Sequence, residues 1–137
     1  MSITLQVGVK AFLKNKEGKY LIIKRSPIKY PNVTDCWDIV GGRIDPGTRL
    51  IENLQREISE ETQLEAGSEP RLIFAQDIIP NPEKHIVRLT YVADVEGGPI
   101  LDTEENTEYR WLTVDEMRNE ENLDKYVREI LDKNLLV

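Results

Sequence analysis

Arg56-Glu57-Ile58-Ser59-Glu60-Glu61 places three carboxylates at i, i+3 and i+4. On a helix these spacings bring side chains to neighbouring positions of one face. Three like charges so close repel one another. The repulsion becomes attraction when a divalent cation sits among them, and hard cations such as Mg²⁺ select oxygen ligands. A glycine-rich stretch, Gly41-Gly42-Arg43-Ile44-Asp45-Pro46-Gly47, precedes the cluster and reads as a turn. A glycine turn leading into a carboxylate helix suits a Mg²⁺ site that handles phosphates, because backbone can approach closely there. The plainer alternative is a solvated acidic face. At about 100° per residue, Glu57, Glu60 and Glu61 fall within roughly a 100° arc. Leu50, Leu54 and Ile58 occupy the adjoining arc. Carboxylates that border a buried stripe are costly unless paired or metal-bound, which favours a site.

The elements that must hold this helix follow from periodicity. Ile3 to Leu13 alternates and is rich in β-branched residues, so it reads as a strand. Asn15 to Gly18 is a turn, and Tyr20 to Ile23 a second, fully buried strand. Ser26 to Asp35 contains Pro27 and Pro31 and reads as a loop. Trp37 to Val40 is a short strand that runs into the glycines. Thr48 is the expected N-cap of a helix from Arg49 to about Thr62, with Leu50, Ile51, Leu54 and Ile58 as its apolar side. Arg71 to Ile79 and Ile86 to Val95 read as strands separated by a break at Pro80-Asn81-Pro82-Glu83. Tyr109 to Leu112 is a last short strand. Thr113 with Glu116 forms a capping-box pattern. Leu123, Tyr126, Val127, Ile130 and Leu131 define a C-terminal helix. The mixture predicts an α/β fold with a sheet covered by helices on both faces.

Length and composition bound the function. The 137 residues suit a single domain, 1–137, with one core. A net charge of −7 disfavours nonspecific binding to nucleic acid polymer or acidic membrane, which needs a basic face. It leaves room for a small anionic substrate carried in with a metal. One cysteine, Cys36, forms no intrachain disulfide. With no signal peptide and no apolar run of spanning length, a cytoplasmic location is expected.

These residues resemble the Nudix hydrolase family, MutT-like members included. The family box reads G-x5-E-x7-R-E-U-x-E-E-x-G-U, with U a bulky aliphatic residue. Laid over residues 42–64, it is matched by Gly42, Arg56, Glu57, Ile58, Glu60, Glu61 and Leu64. Thr48 stands where the family has Glu, and Gln63 where it has the second Gly. The resemblance implies an α/β/α sandwich with a mixed sheet and a loop–helix–loop box. It also implies Mg²⁺- or Mn²⁺-dependent hydrolysis of a nucleoside diphosphate linked to another group. By position, Glu57 and Glu61 are then the principal metal ligands and Glu60 a supporting one. Arg56 orients a carboxylate, and the backbone at Gly41 and Gly42 approaches pyrophosphate or shapes the turn. Thr48 removes a carboxylate, and Gln63 meets a position that favours a left-handed glycine. A binding-only, catalytically degenerate domain is therefore the competing class, and a protein-interaction module a third.

Further candidates are less specific. Arg25, with Lys24, could meet phosphates or be a surface pair. Trp37, Tyr30 and Phe74 are candidates to stack on a base, with packing as the alternative. Glu105, in an acidic loop with Glu104 and Glu108, is a candidate general base or extra ligand. His85 lacks the partners of a zinc site. Pro80, sixteen residues after Leu64, resembles a feature of ADP-ribose pyrophosphatases, whereas the length better resembles compact members that act on nucleoside triphosphates. Nucleoside triphosphates, oxidised ones included, are the first expectation. ADP-ribose or a nucleotide sugar is the second. Homodimers are common among similar proteins.

Overall fold

A computed structural model describes residues 2–67 and 69–136. The elements in chain order are β1 (Thr4–Lys14), β2 (Tyr20–Arg25), β3 (Trp37–Asp38), β4 (Val40–Arg43), α1 (Leu50–Thr62), β5 (Arg71–Asn81), β6 (Lys84–Asp94), β7 (Asn106–Leu112), α2 (Val114–Arg118) and α3 (Lys125–Asp132). The sheet is mixed. β1 and β6 run parallel, and the other pairings are antiparallel.

Alternation along the strands separates two cores. Val9, Ala11 and Leu13 of β1, with Leu21 and Ile23 of β2, pack on Leu54 and Ile58 of α1. Phe12, Tyr20 and Ile22, from the intervening positions, pack on Met117 of α2 and Val127, Ile130 and Leu131 of α3. The period of two thus covers both faces with helices. Leu54 and Ile58 are essentially inaccessible, and burying each contributes about 1.5–3 kcal/mol.

The sheet is split where the site lies. β1 and β2 pair only at Lys14–Tyr20. Beyond that point β1 takes β4 as its partner, Gly8 to Ala11 opposite Arg43 to Val40, while β2 takes β3 and β7. A cleft opens between the diverging strands.

Several boundaries differ from the sequence reading. Gly41 and Gly42 are strand residues of β4, not a turn, because they pair with Lys10 and Val9. Thr48 does not cap α1. The N-cap is Arg49, without a side-chain bond, and the work falls to Asn53 inside the helix. Its amide donates to the carbonyls of Thr48 and Arg49 at 2.8 and 2.7 Å, and its oxygen accepts from the Asp45 amide at 2.8 Å. Leu50 lies exposed outside the apolar stripe. Pro80 and Asn81 remain in β5. Thr113 and Glu116 do form the capping box.

The helix ends where a family glycine would end it. Gln63 adopts the left-handed conformation, φ 58° and ψ 18°, and its amide donates to Ser59 O at 2.9 Å. A non-glycine residue there carries a steric cost of about 1–2 kcal/mol. The turn is braced by Thr62, whose hydroxyl donates to Ile58 O at 2.6 Å and accepts from Leu64 N at 3.1 Å.

Candidate functional site

Strand β4 meets the acidic face of α1 at two glycines. Gly41 has φ +146°, and a Cβ there would lie 2.0 Å from Val9 O. Its amide donates to Glu61 Oε2 at 3.1 Å. A Cβ on Gly42 would lie 2.8 Å from the carboxyl atoms of Glu57. Gly41 thus lets β4 lie close against β1, and Gly42 leaves the Glu57 carboxyl room to rest against the strand.

Arg56 organises the helix face. Its guanidinium donates to Glu57 Oε1 at 3.1 Å, to Glu60 Oε2 at 3.3 Å and to Arg43 O at 3.3 Å. Glu57 is mostly covered, whereas Glu60 is exposed and paired with Arg56. Burial pushes the Glu57 carboxyl above its ordinary value, with Glu60 adding repulsion against the pull of Arg56. Burial pushes Glu61 further, up to about 7; Lys10 and the Gly41 amide resist, while Glu57 and Asp38 add to the push. Glu57 is partly compensated by Arg56, whereas at Glu61 burial outweighs Lys10 and the Gly41 amide.

A cleft of about 450 Å³ opens beside Glu61, with Gly41, Gly42, Arg25 and Glu105 also in its lining. Its floor is a charge cluster of which the sequence reading singled out only Arg25. Buried Asp38 accepts from Lys10 Nζ at 3.0 Å and from Arg25 at 2.6 Å. Burial alone would drive its carboxyl up, but Lys10, Arg88 and Arg25 hold it well below the usual carboxylate range. Arg88 donates to Asp124 at 3.2 Å, and Asp124 caps α3 through Tyr126 N and Val127 N, both at 3.1 Å. Burial and nearby Asp38 push Asp124 up. The available signal was a charged residue, Lys10 or Arg88, at an inward-facing position of an apolar strand.

Most other predicted residues lie apart, and Glu105, though at the cleft, is held by partners of its own. Trp37, expected at the substrate, is 3% exposed in the core beside α3, where strand pairing holds its backbone and Arg110 covers its ring at 4.4 Å. Phe74 packs against that same core. Lys24 pairs with Glu108 at 3.1 Å near the surface. His85 meets Asp77 at 2.7 Å. Glu105 is tied to Lys29 and to the Tyr30 hydroxyl, at 2.8 Å for the latter. The bond from Lys29 is the main influence holding its carboxyl below the ordinary value. A separate cavity of about 490 Å³, lined by Lys14, Lys16, Glu65, Asp94 and Glu96 among others, contains none of the predicted residues.

The chemistry of the donors fits a hard divalent cation. Two carboxylates already crowded and partly dehydrated gain most from one. Among the described residues no three His, Cys, Asp or Glu side chains gather into a metal-binding group. Mg²⁺ does not require such a cage, since it commonly takes one or two carboxylates together with water and substrate phosphate.

A mixed sheet between helices, with glycines opening onto a carboxylate helix, defines the α/β Nudix architecture. The NUDIX domain family model matches residues 4–133, and the chain belongs to that family. It is similar to a putative 8-oxo-dGTP diphosphatase of Bacillus subtilis, 27% identical over 77% of this chain and 65% of the relative. An ADP-ribose pyrophosphatase of Methanocaldococcus jannaschii is 31% identical over 62% of this chain and 48% of the relative. The chain thus matches only about half to two thirds of these relatives' length. Among solved structures, a MutT protein from Methanosarcina mazei superposes with a TM-score of 0.81 at 24% identity, over 97% of this chain and 94% of that one, a likeness of fold. No helix among the described residues is long and apolar enough to cross a membrane.

Proposed function

We propose that this chain hydrolyses a pyrophosphate bond in a small nucleotide, with Mg²⁺ or Mn²⁺ as cofactor. The observation that carries the reading is the geometry of Glu61, which lines a cleft floored by Lys10, Arg25 and Arg88, with the Glu57 carboxyl beside it against Gly42. The carboxyls suit a cation and the basic side chains suit phosphate oxygens. The cleft volume is in the range of small-ligand sites.

Glu57 and Glu61 hold the metal in this proposal, and Glu60 supports it through the shared Arg56. Once bound, the ion supplies charge neutralisation on the pyrophosphate and activation of a water. Arg56 keeps Glu57 in place. Gly41 and Gly42 leave the approach open. Lys10, Arg25 and Arg88 orient the anionic chain. Nucleoside triphosphates, oxidised ones included, are the favoured substrates, supported by the diphosphatase relative. ADP-ribose or a nucleotide sugar is the second reading, supported by the pyrophosphatase relative.

The test is product identification across a panel of nucleoside triphosphates, oxidised forms, ADP-ribose and nucleotide sugars with Mg²⁺ or Mn²⁺. Turnover of at least one, abolished by EDTA, is expected. A nucleotide that raises Tm without being turned over would transfer the assignment to a binding-only domain.

A further inference from the structure

The segment between β2 and β3 is a ten-residue excursion, 26–35, whose neck is closed by Arg25 N donating to Cys36 O at 2.9 Å. It has the form of an Ω-loop. Internal bonds shape it, Tyr30 N to Ser26 O at 2.9 Å and Val33 N to Tyr30 O at 3.4 Å. Its tip is open, with Ile28 at 92% exposure. Among the described residues, the hydrogen bonds and ion pairs that join residues 26–35 to the rest of the chain all end on Glu105. One carboxyl oxygen meets Lys29, and the other accepts from the Tyr30 hydroxyl at 2.8 Å. The Glu105 carbonyl also accepts from Ser26 N at 2.8 Å. Glu105 itself precedes β7, which is anchored along β2.

Tyr30 is the aromatic side chain in the cleft lining among the described residues. The Arg25 guanidinium lies 6.0 Å from its ring centroid, and Arg25 is in turn held by Asp38. The ring is therefore fixed at one end by Glu105 and flanked by the basic floor of the cleft. Aromatic rings so placed stack on the planar faces of bases, whichever base is present.

We infer that Glu105 is a positioning residue, a latch that pins the 26–34 loop so that Tyr30 forms the wall on which the base of a nucleotide stacks. Its carboxylate oxygens are already engaged by Lys29 and Tyr30, which argues for this role over that of proton acceptor. The inference rests on the nucleotide reading above for the stacking partner. The latch itself does not depend on turnover.

The experiment compares Glu105→Gln, Glu105→Ala and Tyr30→Ala, using whichever nucleotide the panel shows to be turned over. An amide still accepts from Tyr30, so Glu105→Gln should keep kcat within about threefold. Glu105→Ala and Tyr30→Ala should each raise KM roughly tenfold with kcat largely retained. A kcat loss of about 100-fold in Glu105→Gln would overturn the latch and make Glu105 a base or ligand. An unchanged KM in Tyr30→Ala would overturn the stacking wall. Limited trypsin digestion reads the latch without any substrate. Cleavage after Lys29 should be faster in Glu105→Ala than in the parent, and equal rates would overturn the proposal even in a protein that hydrolyses nothing.

Discussion

Two carboxylates face the same cleft in opposite electrostatic states. Asp38 is almost fully buried, yet Lys10, Arg25 and Arg88 hold its carboxyl low. Glu61 is less buried, yet it is pushed up to about 7, with the Gly41 amide as its hydrogen-bond donor among the described residues. Burial is the larger penalty in both cases. The supply of positive charge decides the outcome. Asp38 is a satisfied structural charge that holds basic side chains together along the cleft. Glu61 is an unsatisfied one, in keeping with a site completed by a cation from solution.

Removing the satisfied charge should do most damage to folding. Asp38→Asn leaves Lys10 and Arg25 without their partner and should cost about 3 kcal/mol in chemical denaturation. A carboxyl held below its ordinary value stabilises the fold above that value, and the contribution disappears as pH falls through the folded value. The asparagine variant should therefore lose part of the acid-side slope of stability. A variant as stable as the parent would show that the cluster does not hold the cleft floor together.

Removing the two carboxyls that burial pushes up should do the reverse. Glu57→Gln and Glu61→Gln should each lower turnover by at least about 100-fold, by analogy with other groups that stabilise charge in the transition state, with Tm unchanged or raised. Near-normal rates in both would place the metal elsewhere.

The pH dependence sharpens the contrast further. Glu61 binds a proton more tightly folded, near 7, than unfolded, near 4.5. Its contribution is thus fully present below about pH 4.5 and is lost as pH rises through about 7. Metal-free protein should lose a few degrees of Tm over that interval, and millimolar Mg²⁺ should restore more at pH 8 than at pH 5. Glu61→Gln should flatten the slope. A Mg²⁺ effect equal at both pH values would separate the ion from this carboxyl.

The smallest effect concerns the end of the acidic helix. Gln63→Gly relieves a left-handed residue and should add about 1 kcal/mol of stability, read as a shift in denaturation midpoint. Destabilisation would mean that the greater unfolded-state freedom of glycine outweighs the relief of the left-handed strain.

Much of this was legible in the residues. The i, i+3, i+4 carboxylates in register with Gly42 identify the family before any coordinates are considered. The alternation in β1 and the helical spacing in α3 place two cores on the two sides of the sheet. The misreadings share a cause. Gly41 and Gly42 look like a turn because glycine usually signals one. Here they are strand residues, Gly41 without a side chain where β1 passes close and Gly42 where the Glu57 carboxyl rests. Thr48 looks like a cap because its chemistry is right, but Asn53 reaches the same backbone from within the helix. Trp37 is aromatic and next to the motif, but only strand pairing reveals that it faces the core.

The sequence alone determined the family, the acidic helix and the apolar periodicities, because each is a property of neighbours along the chain. Tertiary structure alone decided which charges share the cleft. Lys10, Arg25, Asp38 and Arg88 come from four different strands, and no local pattern brings them together. They meet because β1 and β2 part after Lys14 and Tyr20, leaving inward-facing charges around one low-dielectric opening where their balance sets each carboxyl's state.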